Sequence, residues 1–160
     1  MRLYHGGLQI IEQPVILIPN RKLDYGSGFY TTTSEKQATD WAKRKIVEGE
    51  VAYVSCYELD EELLKTLDVL KFDNPPGEEL IDFVHSNRSK KKFTHTHDVV
   101  YGPVANDRVY AAFALYESGL LSKEELLVEL KTYKLVDQML FHTEKSLKAL
   151  TFLKAKEVRL

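Results

Sequence analysis

Cysteine is all but missing from this chain: Cys56 is the only one in 160 residues. A single thiol can close no intrachain disulfide and supply no multi-cysteine zinc site, so the fold must stand on packing alone. An excess of charge of one sign is missing as well. Against 22 Lys and Arg stand 24 Asp and Glu, a formal net charge of -2 with a pI near 6.2. That balance excludes the overall electrostatic footprint of a general nucleic-acid binder. No apolar run approaches the ~20 residues of a membrane span. Met1-Arg2 leads directly into Leu3-Tyr4-His5-Gly6-Gly7, which leaves no room there for the apolar core of a secretory signal. We therefore expect a cytoplasmic chain with no membrane partner. Internal repeats, a GxSxG elbow, a GxxxxGK[ST] loop and an HExxH helix are all absent, and Gly26-Ser27-Gly28 lacks the third glycine of a dinucleotide fingerprint.

What remains is 44% hydrophobic and 29% charged, the composition of one compact domain spanning residues 1–160. Short strand-like and helix-like segments follow one another along it. Leu3 to His5 and Phe29 to Thr33 read as strands, and Val15 to Ile18 as an extended stretch between prolines. Ser34 with Gln37 opens a helix predicted over Glu35 to Glu48, whose core face would be Ala38, Trp41, Ala42 and Ile46. Val51 to Tyr57 reads as a buried strand, Val69 to Phe72 as a short one, Glu78 to His85 as a helix, and Asp98 to Tyr101 as a further strand. Helices follow from Asp107 to a glycine cap at Gly119 and from Ser122 onward. Gln138 to His142 is a predicted strand, Thr143 caps a short helix, and Phe152 to Val158 closes the sheet. Strands and helices mixed without regular βαβ alternation specify an α+β fold.

Two polar groupings carry possible chemistry. His95-Thr96-His97-Asp98 offers two imidazoles on one face of an extended segment and a carboxylate, but specifies no third ligand, and we assign no metal site. Arg88, Lys90, Lys91 and Lys92 form a basic run that reads as a solvated loop or as a contact for phosphate. We expect it to touch the substrate.

Three further segments stand out together: Leu3-Tyr4-His5-Gly6, Gly26-Ser27-Gly28-Phe29-Tyr30 and Gln138-Met139-Leu140-Phe141-His142. With them the chain resembles the ADP-ribosyltransferase superfamily, in its diphtheria toxin and poly(ADP-ribose) polymerase branch, whose signature is His, Tyr and usually Glu on three strands. It is similar in particular to a small bacterial family of uncharacterised proteins assigned to that superfamily, through Gly102-Pro103-Val104-Ala105-Asn106-Asp107 and the stretch from Asp137-Gln138 to His142-Thr143-Glu144-Lys145. The resemblance implies a split core of two small antiparallel β-sheets flanked by helices, with NAD as co-substrate in a cleft between them. It also implies roles. His5 would bond the adenosine ribose, the backbone of Gly6 would hold the nicotinamide carboxamide, and Tyr30 and Trp41 would sandwich the nicotinamide ring. Gln138 occupies the place of the usual glutamate.

Breaking the nicotinamide–ribose bond releases a neutral leaving group and builds positive charge on the sugar, so the site must chiefly position and stabilise. Gln138 can orient a ribose hydroxyl but cannot take a proton at neutral pH. The expected activity is thus mono-ADP-ribosyl transfer to a macromolecular acceptor, protein or nucleic acid, rather than polymer growth. Glu144, in the first turn of a helix, is accounted for by the helix dipole instead. The resemblance further implies that such small bacterial members can be toxins encoded beside a small neutralising antitoxin protein. Two alternatives stay open at this level: NAD glycohydrolysis, and a catalytically silent nucleotide-binding module.

Overall fold

The structure, a computed structural model, describes residues 1–16, 25–89, 95–103, 107–133 and 135–160. Its elements in chain order are β1 (Arg2–Gly7), β2 (Phe29–Thr31), α1 (Glu35–Arg44), β3 (Ala52–Leu59), α2 (Glu61–Leu64), β4 (Val69–Lys71) and α3 (Glu78–Ser89). Then come β5 (Val99–Pro103), α4 (Asp107–Glu117), α5 (Lys123–Thr132), β6 (Asp137–Phe141), α6 (Glu144–Leu147) and β7 (Leu150–Val158). The fold is α+β, with two small sheets and six helices among the described residues.

One sheet has the order β1-β3-β7 and is antiparallel throughout. Its centre is β3, whose Val, Tyr and Cys residues suit a strand paired on both sides. The other has the order β2-β6-β5-β4, and here the expectation of two antiparallel sheets needs correction: β4 and β5 run parallel. Parallel neighbours need a crossover, and α3 lies in the connection between them. Helix α1 ends at Arg44 rather than Glu48, because the chain turns back with Glu50 N–H donating to Val47. The short helix α2 was not foreseen. Asp60 caps it by accepting from Glu62 and Leu63, a signal visible only as an acidic residue before Glu-Glu-Leu-Leu.

Between the two sheets lies a core of Leu3, Phe29, Tyr57, Val99, Met139, Phe141, Leu147 and Ala149. The outer face of the four-stranded sheet carries a second core, in which Val100 and Leu140 meet Leu80, Ile81 and Val84 of α3, Val109 and Phe113 of α4, and Leu126 and Leu130 of α5. Ser122 and Glu125 complete the reciprocal cap that starts α5. Helix α1 packs on the other side of the three-stranded sheet, its Ala38 and Ala42 against Ala52, Val54 and Val158.

Candidate functional site

Among the described residues, the two sheets are joined by one backbone bridge. Tyr4 N–H donates to the Thr32 carbonyl at 2.8 Å and Thr32 N–H donates back to Tyr4 at 3.0 Å, one step past the end of β2. Because an antiparallel strand sends alternate residues' N–H and C=O groups to opposite edges, the backbone groups of Gly6 point to the same edge as those of Tyr4. They lie outside the β1–β3 ladder, in which Gly6 stands opposite Val54 as a non-bonded pair. Beyond the bridge, β1 and β2 have no further ladder among the described residues. The edge of Gly6 therefore faces a gap.

His5 of β1 and Tyr30 of β2 flank this gap. The Nδ1–H of His5 donates to the carbonyl of Tyr30 at 2.8 Å, and its ring stacks on Phe29 with centroids 4.5 Å apart. A carbonyl only accepts, so the proton sits on Nδ1 and the neutral ring offers Nε2 as an acceptor. Burial pushes the imidazole's pKa below its ordinary 6.5, with Lys45 adding to the effect and the Tyr30 carbonyl opposing it. Burial thus favours the neutral ring.

Tyr30 is half-buried and stands opposite Leu140 in β6. Its hydroxyl donates to Gly26 at 2.6 Å and accepts from Tyr25 N–H at 3.2 Å, so the ring is fixed at its tip as well as at its backbone. Gly26 supports this turn with φ of 88°, a conformation open to glycine.

Gln138 stands opposite Gly102 and, two residues before Leu140, shares the Tyr30 face of the sheet. It is 7% exposed, and its amide makes no hydrogen bond to the described residues. Continuing the β2–β6 register by one step sets Gln138 across from Thr32, and so in one row with Tyr4. His5 lies on the face between the sheets, whereas Tyr30 and Gln138 lie on the outer face of the four-stranded sheet.

Trp41 is not part of the α1 core face, as its spacing suggested: it is 39% exposed, with the Lys45 ammonium 5.4 Å from its ring centre. The Ala38–Ala42 stripe beside it is narrower than expected, because the neighbour it packs on is Gly6. A Cβ at Gly6 would run into the Ala38 carbonyl. An exposed indole thus stands next to the helix stripe that covers Gly6.

Sequence reasoning passed over Asp137 as a site residue. Its carboxylate accepts from Thr33 N–H at 3.0 Å, from the Thr33 hydroxyl at 2.7 Å and from the Tyr101 hydroxyl at 2.6 Å. The end of β2 and the middle of β5 are thereby tied to the residue next to Gln138. Burial first, and then the Asp137 bond, push the Tyr101 phenol up to about 12. Asp137 and Tyr101 line an open pocket of about 500 Å³ together with Thr33, Lys71, Asp73 and Asn74. A carboxylate opening a strand was the available signal.

The other singled-out groups resolve differently. Asp98 accepts from Asp68 N–H at 2.9 Å and the Thr143 hydroxyl at 2.8 Å, with Lys145 Nζ at 3.3 Å; the Asp68 amide is the chief reason its pKa lies below the usual value. It anchors β4 and α6. His97 pairs with Asp68 at 3.1 Å and His95 with the Tyr25 carbonyl, their rings stacked with centroids 5.8 Å apart. Arg88 is spent in the helical layer, 3.4 Å from Glu117 and over the Phe113 ring. Lys90, Lys91 and Lys92 lie outside the described residues, as do Val104, Ala105, Asn106, Leu17 and Ile18.

No helix among the described residues is long and apolar enough to cross a membrane. Neither a curated protein nor a solved structure matches the chain. A family model described as a protein of unknown function, DUF3990, matches residues 1–152, the whole of the gap and both strands that frame it included; the chain belongs to the DUF3990 family.

Proposed function

We propose that this chain is an ADP-ribosyltransferase that cleaves NAD at the nicotinamide–ribose bond and passes one ADP-ribose unit to a macromolecular acceptor. The observation that carries the reading is the parting of β1 and β2 after the Tyr4–Thr32 bridge, which leaves one N–H and one C=O of Gly6 on an open edge beside Tyr30. A carboxamide has one acceptor and one donor side, and matches that pair of groups.

The remaining side chains fit around it. The Tyr30 ring, held at both ends, and the exposed Trp41 indole offer the aromatic faces for nicotinamide. The free Nε2 of neutral His5 accepts from a hydroxyl of the adenosine ribose. The unpartnered amide of Gln138 bonds the 2′-hydroxyl of the reacting ribose and steadies it as positive charge develops at the anomeric carbon. Nicotinamide leaves neutral, the acceptor nucleophile bonds to that carbon, and the acceptor's proton passes to solvent. No carboxylate at position 138 removes a proton from the acceptor, which favours single transfer over chain growth.

Incubation with NAD labelled in the adenosine moiety and a cell lysate tests this. The expected result is label on a macromolecule in single units. Free ADP-ribose alone identifies a glycohydrolase, and polymer overturns the role given to Gln138.

A further inference from the structure

Three consecutive carbonyls, those of Tyr25, Gly26 and Ser27, each accept a side-chain hydrogen bond from a different part of the chain. His95 Nε2–H donates to Tyr25 at 2.9 Å, the Tyr30 hydroxyl to Gly26 at 2.6 Å, and His142 Nδ1–H to Ser27 at 2.7 Å. The two imidazoles come from segments 70 and 115 residues away and lie against each other with centroids 4.1 Å apart. His95 is 9% exposed, and its second nitrogen has no hydrogen-bond partner among the described residues. Such a buried group costs stability, so its retention calls for a reason.

We propose that His95 and His142 are positioning residues for Tyr30, holding the 25–27 turn on either side of the carbonyl that receives the Tyr30 hydroxyl and so fixing the face the ring presents. This rests on the reading of Tyr30 as the nicotinamide platform. The base of the ring is set by the β2–β6 ladder and by His5, but its tip is attached to a turn in no sheet or helix. Tyr25 N–H donates to the same hydroxyl, so turn and ring tip move together. Tyr25 anchors one end of the turn, fully buried with its hydroxyl donating to the Pro103 carbonyl at 2.8 Å, and the imidazoles secure the carbonyls on either side of Gly26.

The test compares His95→Ala and His142→Ala with His95→Gln and His142→Asn, in which an amide nitrogen takes the place of the donating ring nitrogen. Two readouts are taken, and the first needs no NAD: hydrogen exchange at the Tyr25 amide, the donor to the Tyr30 hydroxyl. It should quicken about fivefold in the Ala variants, the loss of roughly one net hydrogen bond, and return toward wild type in the Gln and Asn variants. The second is KM for NAD. It should rise by a similar factor in the Ala variants, recover in the amide variants, and show no added effect of either histidine in a Tyr30→Phe background, which keeps the ring but lacks the hydroxyl tied to the turn. Unchanged exchange and KM in folded Ala variants, or amide variants that fold but behave like the Ala ones, overturn the proposal. If wild type cleaves no NAD, the catalytic reading has failed, and exchange at Tyr25 alone decides whether the histidines position Tyr30.

Discussion

His5 holds Tyr30 by the backbone rather than by the ring: its Nδ1–H reaches the Tyr30 carbonyl at 2.8 Å across the line where the two sheets part. One ring nitrogen thus joins the sheets while the other is left for a ligand. His5→Asn separates the two tasks, since the Asn amide can replace Nδ1 but not Nε2. We expect a folded protein whose affinity for NAD, read by quenching of the sole tryptophan, Trp41, falls about tenfold. Unchanged quenching would remove Nε2 from the binding account.

Gly6 has room for hydrogen alone on its helix side, because a Cβ there meets the Ala38 carbonyl and, behind it, the Ala42 amide. Backbone cannot swing away as a flexible side chain can. Gly6→Ala should destabilise by about 1–3 kcal/mol, the usual cost of overpacking, and lower Tm accordingly. A wild-type melt would mean that α1 can shift freely off β1.

Through one carboxylate Asp137 ties β6 to β5 and to the segment just past β2. Asp137→Asn keeps the shape but faces the Thr33 N–H with a group that is half donor, and should cost about 1–3 kcal/mol in urea unfolding. The Tyr101 phenol should titrate below its present value of about 12 while staying above its ordinary 10, since burial is the larger cause of its elevation. NMR titration of the Tyr101 ring reads this directly.

Acid should weaken the fold in two stages. Burial holds the pKa values of His5 and His95 below 6.5, so below that pH the unfolded chain takes up protons that the native state refuses. Stability is then complete above pH 6.5 and declines as pH falls toward the native values. Asp98, with its pKa held below 3.8, adds a second loss as pH falls through 3.8 and lower. Urea midpoints measured from about pH 7.5 to about pH 5.5 should drop, and the drop should shrink in His5→Asn, which lacks one of the titrating groups. A flat profile would contradict the neutral, buried state of both imidazoles.

The sequence disclosed the elements better than their arrangement. Caps at Ser34, Ser122 and Thr143 and the run of strand formers in β3 are local signals, and all reappear in the fold. The parallel β4–β5 pair is not local, since nothing within Val69–Lys71 names the strand it will join. Helical spacing set Trp41 on the core face, yet it could not show that Gly6 leaves space only for the two alanines. The candidates His5, Tyr30 and Gln138, named through the resemblance, stand on β1, β2 and β6. Asp137 and the His95–His142 clamp depend on contacts across 36 to 115 residues, and no spacing rule reaches that far.

The most direct measurement is nicotinamide release from NAD by the purified chain, alone and with a cell lysate, beside His5→Ala, Tyr30→Ala and Gln138→Ala. The account predicts release by wild type that rises with lysate and is lost in all three variants, each of which keeps a cooperative melt. Absence of release in both settings, or release that survives all three substitutions, would contradict it.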